Sequence, residues 1–114
     1  MIKLIETIVR NYLTKKLDVP VYLNRPEKLP QRYVYLDKTG SSKANQLPHA
    51  TLALQSYAEN RYEASVLNNA VKEAIEQIVL LPEIRGVELN SDYYFPDTQK
   101  KRYRYQAVYE IKYY

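Results

Sequence analysis

Apolar residues recur at helical spacing from the start of the chain. Ile2, Ile5, Val9, Tyr12 and Leu13 form one stripe, and Lys3, Glu6, Arg10 and Lys15 lie largely off it. This predicts an amphipathic helix over Ile2–Lys16. Lys15 and Lys16 suit the negative end of the helix macrodipole, and Asp18 and Pro20 stop the helix. The period then drops to two. Val19, Val21 and Leu23 alternate, which predicts a short strand over Val19–Leu23. Pro26 and Pro30 forbid regular helix and disfavour a paired strand, so Asn24–Pro30 reads as a loop.

Two longer strands follow, Arg32–Thr39 and Leu47–Ala58. In the first, Val34 and Leu36 share one face and Tyr33, Tyr35 and Asp37 the other. In the second, Ala50, Leu52, Leu54 and Ser56 alternate with His49, Thr51, Ala53, Gln55 and Tyr57. Both patterns are those of half-buried antiparallel strands. The connection, Gly40-Ser41-Ser42-Lys43-Ala44-Asn45-Gln46, is polar and longer than the usual ~2–5 residues of a hairpin loop. It is expected to project as a mobile loop.

The most regular segment is Arg61–Leu80. Leu67, Ala70, Val71, Ala74, Ile75 and Ile78 follow the i, i+3, i+4, i+7 pattern, and Lys72, Glu73, Glu76 and Gln77 take the wet side. Asn60 is a good N-cap, Glu63 stands where a capping box closes, and Pro82 ends the helix. A strand over Gly86–Tyr93, with Val87 and Leu89 on one face, leads into a turn over Tyr94–Lys101 that contains Pro96. The last strand, Arg102–Tyr114, places Tyr103, Tyr105, Ala107, Tyr109, Ile111 and Tyr113 on one face. Arg102, Arg104, Gln106, Val108, Glu110 and Lys112 take the other. The order α-β-β-β-α-β-β predicts one α+β domain over residues 1–114. Its expected form is a two-layer sandwich, with two helices packed on one face of a mainly antiparallel sheet. Leu67, Val71, Ala74, Ile75 and Ile78 should bury against Val34, Leu36, Leu52 or Leu54, leaving an opposite face rich in tyrosine and polar groups.

Composition sharpens this picture in three places. The 114 residues are 46% hydrophobic and 26% charged, an ordinary globular balance rather than that of a disordered tail. There is no cysteine, so a disulfide framework and a thiolate nucleophile are excluded. The aromatic content is thirteen tyrosines and one phenylalanine, with no tryptophan. Tyrosine is enriched at interfaces, although a tyrosine-rich sheet with its hydroxyls in water has the same composition. The apolar runs fall short of the roughly 20 residues that cross a bilayer, and the opening Met1–Glu6 does not read as a signal peptide.

Candidate chemistry is sparse. His49 is the only histidine, and it has no cysteine to join it in a metal cluster. Asp92 and Asp97 flank a proline turn, where aspartate usually bonds its own backbone. The two glycines, Gly40 and Gly86, form no phosphate-cradling loop. The sequence therefore offers no catalytic, cofactor-binding or metal-ligating residues, and an enzyme is not expected. The net charge of +4 is modest for a nucleic-acid binder. Lys100-Lys101-Arg102-Tyr103-Arg104-Tyr105 interleaves cations with aromatics. In a strand, however, Arg102 and Arg104 lie across the sheet from Tyr103 and Tyr105. A solvated strand edge fits that segment better than a stacking platform.

Some segments carry a resemblance. Ala50–Ala58, Tyr62-Glu63-Ala64, Leu89–Asp97 and Tyr103–Tyr109 resemble small virion proteins encoded among the head–tail joining genes of long-tailed phages and prophages of Gram-positive bacteria. These are described as minor capsid, tail completion or tail terminator proteins. The resemblance rests on overall pattern across nearly the whole chain and brings no active-site residues. It implies a subunit made in the host bacterial cytoplasm that forms a homo-oligomeric ring, commonly a hexamer, at the head–tail junction of the virion. The isolated subunit can be monomeric. Such a ring caps the tail tube, meets the head connector, and lets DNA pass without sequence-specific binding; no membrane is involved. A head–tail adaptor or stopper ring is the alternative, and an unassigned nucleic-acid-binding domain stands behind both. On this reading, the tube or connector contact is expected from Lys38, Gly40, Ser41, Ser42, Lys43, Asn45 and Gln46. Subunit contacts are expected along a tyrosine-rich edge formed by Arg102, Tyr103, Arg104, Tyr105, Tyr109 and Tyr113.

Overall fold

In the computed structural model, which describes residues 4–25, 27–44 and 47–114, the first helix, α1, spans Ile5–Lys16. It buries Ile5, Val9, Tyr12 and Leu13, the stripe that the spacing predicts. The expected start at Ile2 lies outside the described residues. The first strand, β1, is confined to Val21–Tyr22, because Pro20 has no N–H to give a ladder. β1 runs parallel to the second strand, β2 (Tyr33–Ala44), pairing Val21 with Val34 and Tyr22 with Tyr35.

β2 and β3 (Leu47–Ala58) form a long antiparallel hairpin, paired from Tyr33↔Tyr57 to Ala44↔Leu47 with a register shift between Lys38 and Gly40. This corrects the expected projecting loop. Gly40, Ser41, Ser42, Lys43 and Ala44 continue β2 opposite Thr51 to Leu47, while Asn45 and Gln46 lie outside the described residues. The strand continues because backbone pairing does not need apolar side chains. The alternation that reveals a strand in sequence is lost once both faces meet water.

The second helix, α2, spans Arg61–Glu76, and a separate 3₁₀ turn, Ile78–Leu80, follows it. The Asn60 side chain accepts from the Glu63 N–H at 2.8 Å, as an N-cap should. The capping box is not closed by Glu63, whose carboxylate turns to Arg32 at 3.3 Å. Leu67, Val71, Ile75 and Ile78 are buried in one cluster with Val34, Leu36, Leu52 and Leu54, and Ala74 packs against its margin. Ala70, expected on the stripe, is exposed. α1 joins the same core and is tied to α2 by the Tyr12 hydroxyl, which donates to the Ala74 carbonyl at 2.8 Å.

The remaining strands, β4 (Ile84–Tyr94) and β5 (Tyr103–Tyr113), complete a five-stranded sheet of order β1-β2-β3-β5-β4. β5 lies between β3 and β4 and is antiparallel to both. The expectation that Arg102–Tyr114 forms a sheet edge is therefore corrected: β4 and β1 are the edges. β5 moves to the centre because Ala107, Tyr109 and Ile111 need cover on one face, and pairing with Leu54, Leu52 and Ala50 places all six under the helices.

The alternation sorts the tyrosines between the faces. Those of β5 lie on the helix side, and Tyr109 is fully buried there. The helix-free face takes Tyr33 and Tyr35 from β2, Tyr57 from β3 and Tyr93 from β4. It is not uniformly open. Tyr33 and Tyr57 stack at 4.4 Å between ring centres and are both 0% exposed. Arg25 and Tyr22 before β2, together with Phe95 and Asp97 from the turn between β4 and β5, gather around this pair.

Candidate interaction surfaces

The residues proposed from sequence for a tube or connector contact lie on the β2–β3 hairpin. Gly40, Ser41, Ser42 and Lys43 are exposed along its β2 limb. Lys38 is placed differently. It shares the helix side with Leu52, and its Nζ lies 3.6 Å from Glu6 of α1, so it already has an acidic partner. Asn45 and Gln46 are outside the described residues.

Ser42 takes part in a hydrogen-bonded chain that no linear motif reveals. Its hydroxyl lies 2.8 Å from His49 Nδ1, and His49 Nε2 lies 3.1 Å from Glu110 Oε1. The order resembles a Ser–His–acid relay. The context does not: Ser42 sits within a paired strand, directly opposite His49, rather than on a sharp turn that lifts a nucleophile toward preorganised N–H donors. Glu110 also accepts from Thr51 at 2.8 Å and from Asn90 at 3.3 Å. The arrangement is a cross-strand polar ladder tying β2, β3, β5 and β4 together.

Of the residues expected at a subunit interface, Tyr109 and Arg104 are corrected to interior positions. Tyr109 is covered by α2 and donates to Glu76 Oε2 at 2.8 Å. Arg104 is buried, with Nε donating to the Phe95 carbonyl and Nη1 to the Tyr57 hydroxyl. Tyr113 packs against the core margin, Arg102 bonds the Gln31 carbonyl, and the Tyr105 hydroxyl accepts from Arg61 at 3.3 Å. Tyr103, 42% exposed, is the member of that set with most surface to offer. The larger exposed apolar groups lie elsewhere. Tyr62 and Val66 project from α2, Leu80 is 80% exposed just after it, and Leu89, Tyr93 and Phe95 lie on or beside β4. The sequence signal for the edge role of β4 was weak, because Leu89 reads as a core residue until the strand order is known.

Asp92 and Asp97 do not act as a pair. Asp92 accepts from Asn68 at 2.8 Å and pairs with Lys72, fastening β4 to α2. Asp97 accepts from the Lys100 N–H at 3.2 Å, closing its own turn.

The turn and the loop before β2 together build a cationic cluster. Arg25 Nη2 and Arg104 Nη1 both donate to the Tyr57 hydroxyl at 2.8 Å, and that hydroxyl donates to Gln55 Oε1 at 3.2 Å. The Arg25 guanidinium lies 4.6 Å from the Tyr35 ring and Arg104 lies 4.2 Å from the Phe95 ring, cation–π contacts that hold both groups in place. Arg104 Nε also donates to the Phe95 carbonyl at 2.6 Å. Arg104 and its chain neighbours Tyr103 and Tyr105 lie on opposite faces, as strand geometry predicts, but across strands Tyr57 and Phe95 share the Arg104 face and meet its guanidinium.

No protein-family model and no curated protein matches the chain. Among the described residues, no helix is long and apolar enough to cross a membrane.

Proposed function

We propose that this chain is a structural virion protein, a tail terminator or tail completion subunit that assembles into a ring at the head–tail junction of a long-tailed phage. The observation that carries the reading is the unlikeness of the two sheet edges. One is β1, a two-residue parallel stub. The other is β4, eleven residues long, with exposed Leu89, Tyr93 and neighbouring Phe95. A closed ring built head-to-tail needs two different, complementary patches on each subunit. A long exposed edge strand is a liability unless a partner, charge or bulges protect it, and the two register shifts in β4, at Ile84/Gly86 and Leu89/Ser91, interrupt this edge without covering its apolar groups. Tyr62 and Val66 on α2 and Leu80 after it are further exposed apolar groups. The β2–β3 hairpin, with Gly40, Ser41 and Lys43 exposed, supplies the contact to the tail tube or connector.

Association has an entropic cost that contacts in the free protein need not offset, so a monomer in solution would decide nothing. The test is therefore made in the virion. Deleting the gene from an otherwise intact phage should give filled heads without tails attached and free tails of abnormal, often excessive, length. Leaky or DNA-free heads beside tails of normal length would assign the protein to a connector ring instead. Normal infectious particles would refute both.

A further inference from the structure

The cationic cluster on the helix-free face poses a problem that the fold alone does not solve. Two guanidinium groups converge on one neutral oxygen, each 2.8 Å from the Tyr57 hydroxyl. Like charges this close repel unless an anion or water screens them. Arg104 has partial relief from Asp97 Oδ2 at 3.8 Å and from the Phe95 carbonyl. Arg25 has no carboxylate partner among the described residues. Both line an open cleft of about 490 Å³ that also takes in Phe95–Lys100. Its formal charges are three cations, Arg25, Lys100 and Arg104, against one carboxylate, Asp97. Asp97 is itself held by the Lys100 N–H and Arg104, so it closes the turn rather than filling the cleft.

We propose that this cleft is a binding site for a terminal phosphate group, held between Arg25 and Arg104 with Lys100 as a third cation. Guanidinium forks match tetrahedral oxyanions through paired N–H···O bonds. A dianionic phosphate balances the surplus positive charge of the lining, whereas a carboxylate or a phosphodiester leaves half of it unmet. The aromatic contacts to Tyr35 and Phe95 hold the two forks in place before the anion arrives, which lowers the ordering cost of binding. The cleft shares Phe95 with the apolar surface beside β4, but its three cations lie off the sheet edges, so failure to bind phosphate would leave the ring reading untouched.

The test is titration of the full chain with inorganic phosphate at constant ionic strength and pH 7.5, followed by backbone amide NMR. A nucleoside monophosphate and a short oligonucleotide lacking a terminal phosphate serve as parallel probes. Saturable shifts should cluster at residues 25, 57 and 95–104. Arg25→Ala, whose side chain is exposed and outside the core, should weaken phosphate binding by about tenfold or more while the amide spectrum stays that of a folded chain, since Tyr57 keeps its bond from Arg104. Arg25→Lys should recover part of the loss. Equal affinity for phosphate and the monophosphate identifies free phosphate as sufficient; a tighter monophosphate assigns the site to a larger ligand carrying that group. Unchanged binding in Arg25→Ala, acetate binding as tightly as phosphate, an unphosphorylated oligonucleotide doing so, or shifts spread without saturation over surface lysines would each overturn the proposal.

Discussion

Tyr109→Phe removes a single hydroxyl from the middle of the domain. The ring lies on β5 beneath α2, fully buried, and its hydroxyl donates to Glu76 Oε2 at 2.8 Å. A hydrogen bond to a charged group contributes on the order of 1.5–3 kcal/mol. Glu76 is exposed and regains water when the donor is lost, so the expected cost at pH 7 is at the lower end, about 1.5 kcal/mol. The difference also depends on pH. Burial first, and the Glu76 bond second, push the Tyr109 hydroxyl above its ordinary range, whereas in the unfolded chain it ionises near its usual value of about 10. The folded state thus favours the neutral form. The stabilisation is complete below pH ~10 and is lost as pH rises from there toward the folded pKa, at about 1.4 kcal/mol per pH unit. The Phe variant has no such group. Tyr12 and Tyr33 are also pushed up by burial, but both proteins contain them and their effects cancel. Urea unfolding of the two proteins, followed by circular dichroism at pH 7, 9, 10 and 11, measures the difference. It should hold near 1.5 kcal/mol to about pH 9.5, approach zero near pH 11, and reverse beyond. A difference that stays constant across this range would refute the reasoning.

Two further outcomes follow from the packing of α2. Leu67→Ala should cost roughly 2–5 kcal/mol, with Ile75→Ala, from a fully enclosed site, the more damaging of the pair. A loss under about 0.5 kcal/mol at either position, typical of surface sites, would contradict burial against the sheet. Asn60→Ala should cost about 1 kcal/mol through the lost N-cap bond to Glu63, read from the same unfolding curves, and Asn60→Asp should restore most of it.

The parts of this structure that were legible in the sequence are those where one face is dry and the other wet. The α2 stripe and the parity of β2, β3 and β5 follow from Leu67, Val71 and Ile75, and from Val34/Leu36, Leu52/Leu54 and Ala107/Ile111, because burial selects the residues at those positions. Where both faces are wet, as from Gly40 to Lys43, composition resembles a loop and only the cross-strand pairing reveals the strand. Strand order was not legible either. Alternation in Arg102–Tyr114 states which residues share a face but not which neighbours the strand will have, nor that α2 covers the Tyr109 side. The cluster around Tyr57 was invisible for a related cause. Arg25 and Arg104 look like unrelated surface cations until the β2–β3 and β3–β5 registers bring them to one hydroxyl.

The central position of β5 has a consequence for how the chain is made. Of the five strands it leaves the ribosome last, yet it supplies the ladder that joins β3 to β4. A nascent chain that has finished β4 can pair β2 with β3, but β4 has no neighbour to join. Part of the apolar floor beneath α2 is missing at that stage, since Ala107, Tyr109 and Ile111 have yet to arrive. The unfinished chain exposes one side of β3 and both sides of β4, the kind of surface that aggregates or recruits chaperones. Closure then comes in one late step that joins distant parts of the chain, a topology associated with slow folding.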